Sequence, residues 1–220
     1  MAIDKKELMG ILEACIPDEM SGVSKQELVD FEKGVKQMYL DGKLRSPVHL
    51  SGGNEGHIMT VFQDIKPDDW VFTTYRSHYH ALLKGVAKEW LRQWILSNKS
   101  IHVMNKEHKI FTSAIVGGIL SPALGAAFAI KLRGGKNKVW AFCGDMTAES
   151  GTFHEVTKYA RRNALPITFV VEDNGLSTDT PTQETWGMQE SGPNIIRYKY
   201  KRTYPHYGVG VFVDFKDIGI

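Results

Sequence analysis

The spacing of apolar residues changes along this chain, and the change predicts its elements. Residues 1–20 pattern as a first helix ending near Pro17. Ser24-Lys25-Gln26-Glu27 has the form of a capping box, in which a serine oxygen and a glutamate carboxylate satisfy exposed backbone donors reciprocally. Leu28, Phe31, Val35, Met38 and Tyr39 then recur at helical spacing as far as Gly42. Such an arm could pack on its own domain or on a partner; periodicity does not choose. A polar, glycine-rich loop follows (SPVHLSGGNEG), then a helix from Gly56 to about Ile65. Pro67-Asp68-Asp69 turns the chain into a short strand, Trp70 to Thr73. Farther on, Lys138 to Cys143 forms an apolar run between Gly134-Gly135 and Gly144. Residues 149–163 read as a helix with Phe153, Val156, Tyr159 and Ala160 on one stripe, ended by Pro166. Ile167 to Val171 is a second β-branched and aromatic run. Strand, helix and strand in that order predict a βαβ unit: parallel strands, a right-handed crossover and an α/β sheet.

One segment raises a membrane question. Phe111 to Ile130 holds 20 residues without a charge, long enough to span a bilayer. Glycines, Pro122 and three hydroxyl residues interrupt it, and Ser121-Pro122 reads as a helix start. The apolar residues from Ala123 to Ile130 then predict a short helix buried as core or at a subunit interface. With 27 Lys plus Arg against 25 Asp plus Glu, the formal charge of +2 offers no nucleic-acid footprint. The 42% hydrophobic content suits a packed core and excludes a disordered or fibrous chain. Cys15 and Cys143 make neither a disulfide framework nor a metal spacing. No secretory leader is recognisable, so the expectation is a cytoplasmic protein.

Ligands of such sheets bind beyond the carboxyl ends of the strands. There the first run ends in Gly144-Asp145 and the second in Glu172-Asp173-Asn174-Gly175. The crossover therefore brings Asp145 and Asn174 to one edge. A carboxylate and an amide oxygen are hard donors suited to Mg²⁺ or Ca²⁺, and a Mg²⁺ with few protein ligands is usually completed by phosphate oxygens. The same residue types also serve as ordinary helix caps and turn formers. A second constellation, FTTYRSHYHALLKGV, packs Tyr75, Arg76, His78 and His80 together. Arginine and tyrosine suit a phosphate clamp; the alternative is a solvated helix start. Ser113 to Gly118 is a small-residue loop that would admit a flat ligand close to the backbone, or simply a tight turn. His49 and Glu55 lie in the glycine-rich loop, catalytic or merely exposed.

Taken in order, these pieces resemble the alpha subunit of heterotetrameric thiamine-diphosphate-dependent 2-oxo acid dehydrogenases of the pyruvate and branched-chain type. YLDGKLRSPVHLSGGNEG stands where that family has a segment like YLQGKIRG-HL-GQEA, and PDDWVFTTYRSHYHALLKGV echoes its PDDYVFTTYRDHGHALAKGV. Ser100-Ile101-His102 and Ile115-Val116-Gly117 match its SMH and IVG segments. Its GDG…NN cofactor motif stands here as GDM…EDN. The resemblance implies a three-layer parallel sheet with helices on both faces: a diphosphate-binding domain over 46–220 preceded by an N-terminal helical arm, 1–45. It implies that Asp145 and Asn174, with the Leu176 carbonyl, hold Mg²⁺ or Ca²⁺, and that Tyr75 and Arg76 hold the diphosphate of thiamine diphosphate. Gly144, Met146 and Thr147 belong to the cofactor motif, Ile115 and Val116 meet the aminopyrimidine, and His49 and His78 face the reacting thiazolium end or the diphosphate. Met146 replaces a glycine, a change that a helical φ accommodates without strain and a positive φ does not.

The partner implied is a separate beta-type subunit carrying the pyrimidine-binding domain and its activating glutamate, in an α2β2 heterotetramer. The activity implied is decarboxylation of a 2-oxo acid with transfer of the acyl or aldehyde fragment. Two alternatives stand beside it. EDNGLSTD also resembles the transketolase DDNG pattern, which suits a split transketolase-like subunit. A non-catalytic paralogue serving as an assembly partner is the other. Where the family continues into a helix, a strand and a His-containing loop, this sequence closes on VFVDFKDIGI, so transfer without lipoyl coupling is the expectation.

Overall fold

The computed structural model describes residues 19–187 and 192–206, so the first helix expected over 1–20, Cys15 and the final segment lie outside the described residues, apart from Glu19 and Met20. A short antiparallel hairpin, β1 (Glu19–Met20) and β2 (Val23–Ser24), leads into α1 (Lys25–Leu40). The capping box forms as read: Ser24 Oγ accepts from Glu27 N at 3.2 Å, and Ser24 N donates to Glu27 Oε2 at 2.8 Å. Leu28, Phe31 and Val35 are buried, with Met38 and Tyr39 packed against the same cluster, so the arm packs on its own domain. Gly42, at φ 69°, lets the chain turn away beyond the helix end.

The chain continues through α2 (Glu55–Phe62), β3 (Trp70–Thr73), α3 (His78–Leu83) and α4 (Lys88–Trp94), which runs on into a widened turn over Ile95–Lys99. Then come β4 (Ile110–Thr112), α5 (Leu120–Leu132), β5 (Val139–Gly144), α6 (Asp145–Ala148) and α7 (Gly151–Arg162). β6 (Ile167–Asp173), a hairpin of β7 (Leu176–Ser177) and β8 (Thr180–Pro181), α8 (Thr182–Trp186) and β9 (Ile195–Lys199) complete the described fold.

Five strands form one sheet in the order β4-β3-β5-β6-β9, and every pair is parallel. Side chains alternate across it. Val71, Trp140, Phe142 and Val170 join the cluster under α1, α2, α3 and α4. Phe72, Val139, Ala141, Cys143, Phe169 and Val171 join the opposite cluster with α5 and α7. Both faces are covered, which gives the three layers expected and explains why β5 and β6 read as continuous apolar runs. Each fully buried large side chain among them stabilises by roughly 1.5–3 kcal/mol. The Pro67-Asp68-Asp69 turn fixes the lower end of the sheet. Buried Asp69 accepts from Lys138 N at 2.7 Å and Trp140 Nε1 at 3.1 Å, tying the start of β3 to the start of β5.

Several local expectations need correction. The helix expected from Ser121-Pro122 begins one residue earlier, at Leu120, and has no side-chain cap, so Ser121 is not its N-cap. Only one side of that helix lies in this chain's core: Leu120, Ala123 and Ala127 face it, while Phe128 and Leu132 are exposed in this chain. The helix expected over 149–163 forms as one helix starting two residues later, at Gly151, where Ser150 caps it by accepting from Phe153 N at 3.3 Å. Tyr159 lies on the exposed side of α7. His78 does begin a helix, but all of α3 is buried rather than solvated. Among the described residues no helix is long and apolar enough to cross a membrane.

Candidate active site

The strand order positions the site. From β3 the chain passes outward to β4, whereas from β5 it passes the other way to β6. Above the carboxyl ends of β3 and β5 the connections therefore diverge, and the backbone leaves a crevice that no crossover fills. A cleft occupies this place. Thr74, Tyr75 and Arg76 line it after β3, and Val116 after β4. Gly144, Asp145, Met146 and Thr147 enter from the turn after β5. Glu172, Asn174, Leu176, Ser177 and Thr178 enter from the end of β6 and the hairpin beyond, with Tyr200 and His206 following β9.

Asp145 is 1% exposed and opens α6 from the Gly144 N-cap. Its Oδ2 accepts a hydrogen bond from the Thr182 hydroxyl. Asn174 is held by an Asx turn: Leu176 N donates to its Oδ1 at 3.1 Å, and its Nδ2 donates to the Tyr200 hydroxyl at 3.2 Å. The backbone of Met146 is helical, not left-handed, so a side chain replaces the family's glycine without backbone strain. Arg76 donates from Nη2 to the His206 carbonyl at 3.1 Å, while its buried Nε has no partner among the described residues.

Acidic groups outnumber cations around this crevice. Glu172 Oε1 accepts from Asn54 Nδ2 at 2.7 Å and from the Tyr198 hydroxyl at 2.9 Å. Burial pushes this carboxyl up to about 7 despite both donors. Asp173 is raised as well, by burial first and then by neighbouring Asp145. Arg197 answers part of the charge, donating to Glu149 Oε1 at 2.9 Å with Asp173 Oδ2 at 3.7 Å. A cleft with carboxylates at its floor and a half-satisfied guanidinium on its wall can take a cation bound to an anion.

The structure brings together Tyr75, Arg76, Val116, Gly144, Asp145, Met146, Thr147, Asn174 and Leu176. His49 stands just behind them, its ring 4.3 Å from Tyr75 and 4.9 Å from His206. Burial, then the Arg76 charge, hold its pKa down to about 3, so it is neutral at physiological pH. Ile115 is 74% exposed beside Val116 and does not line the cleft. His78 is elsewhere: fully buried, with Nε2 3.0 Å from Ser100 Oγ and Nδ1 3.5 Å from Glu32 Oε1. It has no surface in the cleft. Glu55 is buried too, accepting the Tyr79 hydroxyl at 2.8 Å and Gly53 N at 3.0 Å. Thr74, Glu172, Tyr200, His206 and Thr182 were not legible as site residues. Glu172 alone carried a signal, its place at the end of an apolar run.

A family model described as "Dehydrogenase E1 component" matches residues 24–206. The chain belongs to the dehydrogenase E1 component family. The alpha subunit of an acetoin:2,6-dichlorophenolindophenol oxidoreductase from Bacillus subtilis is 29% identical over 202 residues, 87% of this chain and 58% of that protein. A chloroplastic pyruvate dehydrogenase E1 component subunit alpha-3 from Oryza sativa is 33% identical over 212 residues, 86% of this chain and 47% of its own length. The corresponding Arabidopsis thaliana subunit is 35% identical over 160 residues, 66% of this chain and 37% of its own. This E1 chain thus spans about half the length of the relatives it matches. The matched segment contains the whole cleft, from Thr74 to His206.

Proposed function

We propose that this chain is the alpha-type subunit of a thiamine-diphosphate-dependent 2-oxo acid dehydrogenase, and that its cleft holds the cofactor's metal-bound diphosphate. The observation that carries this reading is the meeting of Asp145, Asn174, Leu176, Tyr75 and Arg76 in one crevice at the switch point of a parallel sheet. The donor set fits the group. Asp145 and Asn174, with the Leu176 carbonyl, are hard oxygen donors for Mg²⁺. The unpartnered Nε of Arg76 is a buried donor that a phosphate oxygen would satisfy.

When bound, thiamine diphosphate supplies a thiazolium carbon that adds to a 2-oxo acid and accepts the electron pair released with CO₂. The protein's own part is electrostatic and positional. Asp145 neutralises the cation, and Arg76 faces the anion. Neutral His49 adds hydrogen-bonding capacity beside Arg76 without a second positive charge. Val116, at the cleft's edge, would face the aminopyrimidine, and Ile115, exposed beside it, would face the partner. A beta-type subunit carrying the pyrimidine-binding domain would complete the site in a heterotetramer. The relatives named above are E1 component and acetoin oxidoreductase alpha subunits, so a split transketolase-like subunit and a non-catalytic paralogue are not favoured.

Calorimetric titration of Mg²⁺ and thiamine diphosphate into the chain co-purified with its beta-type partner tests the reading. Submicromolar, Mg²⁺-dependent binding, about −8 kcal/mol or better, is expected, with loss of that binding in Asp145→Ala. Unchanged affinity in the variant would overturn the assignment.

A further inference from the structure

Thr182 is a residue that no motif singles out, yet the fold buries it completely. It follows Pro181 as the first residue of α8, and it makes two hydrogen bonds that join separate parts of the cleft. Its hydroxyl donates to Oδ2 of Asp145, at the end of β5. Its backbone N–H donates to the carbonyl of Gly175 at 3.1 Å, between Asn174 and Leu176 at the end of β6. The β7–β8 hairpin returns the chain just far enough for this, pairing Leu176 with Pro181 and Ser177 with Thr180. Among the described residues no other hydrogen bond reaches the Asp145 carboxylate.

We propose that Thr182 is a positioning residue for the cation site: it clamps one oxygen of Asp145 and locks the Asn174–Leu176 turn at a set distance from it. A carboxylate on a short side chain rotates freely about its terminal bond unless one oxygen is held. With Oδ2 engaged, Oδ1 is the oxygen left for a cation. A ligand set split between two loops binds tightly only when both loops keep their spacing before the ion arrives. Thr182 supplies both constraints from one buried residue, the first through its hydroxyl and the second through its backbone N–H. The proposal rests on the cofactor reading above and deepens it.

The test compares Thr182→Val and Thr182→Ser with the unaltered chain and Asp145→Ala, each in complex with the beta-type partner. Mg²⁺ is titrated at saturating thiamine diphosphate, and thiamine diphosphate at saturating Mg²⁺. Thr182→Val should weaken Mg²⁺ binding about ten- to a hundredfold, the scale of one lost charge-assisted hydrogen bond, and excess Mg²⁺ should restore cofactor affinity. Thr182→Ser, which keeps the hydroxyl, should bind like the unaltered chain. If Thr182→Val does not fold, Thr182→Cys replaces it, being close in shape to the Ser variant and a poor donor. Normal Mg²⁺ affinity in the folded Val or Cys variant, with binding lost in Asp145→Ala, would overturn the clamp and leave the cofactor reading intact. Absence of Mg²⁺-dependent binding in the unaltered complex would overturn both.

Discussion

His80 offers a quantitative test of how the cleft's floor is built. The residue has no exposed surface, its ring meets Phe142 edge-on at 4.5 Å, and its Nε2 lies 3.5 Å from Glu172 Oε1. Burial drives its pKa down to about 3, and burial drives Glu172 up to about 7. Each buried group thus favours its neutral form. For His80 the sign is definite. The unfolded chain takes up a proton near pH 6.5 while the folded chain refuses it until about pH 3, so stability falls as pH falls through that window. Between pH 7.5 and pH 5 the loss from this one group is about 2 kcal/mol. His80→Gln keeps a polar side chain of similar size and cannot titrate. Urea unfolding of both proteins at pH 7.5, 6.25 and 5, at constant ionic strength, measures the difference. The variant should gain about 2 kcal/mol on the unaltered protein across this range. His49 and Glu172 titrate in both proteins, and the comparison subtracts them. Parallel stability curves would refute the reasoning and mean that folded His80 takes up a proton as readily as the unfolded chain does.

Two further outcomes follow from the same geometry. Gly53 holds φ at +97°, and a Cβ there would come within 2.1 Å of the Lys201 carbonyl; Gly53→Ala should cost at least ~1–3 kcal/mol, read as a lower thermal midpoint. Arg76→Lys keeps the charge but loses both the Nη2 that donates to the His206 carbonyl and the buried, unpartnered Nε. Its affinity for thiamine diphosphate at saturating Mg²⁺ should drop about ten- to a hundredfold, the scale of a charge-assisted hydrogen bond, and retention of full affinity would remove Arg76 from the diphosphate clamp.

What the chain declares in its order of residues is chiefly what is local. The capping box at Ser24 and Glu27 closes within one turn, so its spacing is its structure. β3, β5 and β6 announce themselves because strands buried on both faces must be apolar without interruption, and Asp145 and Asn174 are legible because they end such runs. β9 is only half-buried at the sheet's edge, and its IIRYK gives no comparable run. Other features depend on which distant segments meet. α5 is apolar on most sides, yet only its packing shows which side is covered and which is left exposed. His78 and His80 lie two residues apart in a motif rich in phosphate-binding side chains, but the fold turns both inward, one to Ser100 and Glu32, the other to Phe142 and Glu172. Thr182 reaches Asp145 across 37 positions, and Asn54 reaches Glu172 across 118. No short-range spacing encodes such pairs. They exist because a parallel sheet delivers the carboxyl ends of all its strands to one edge, where side chains far apart in sequence share a single low-dielectric space and must satisfy one another's charges and hydrogen bonds.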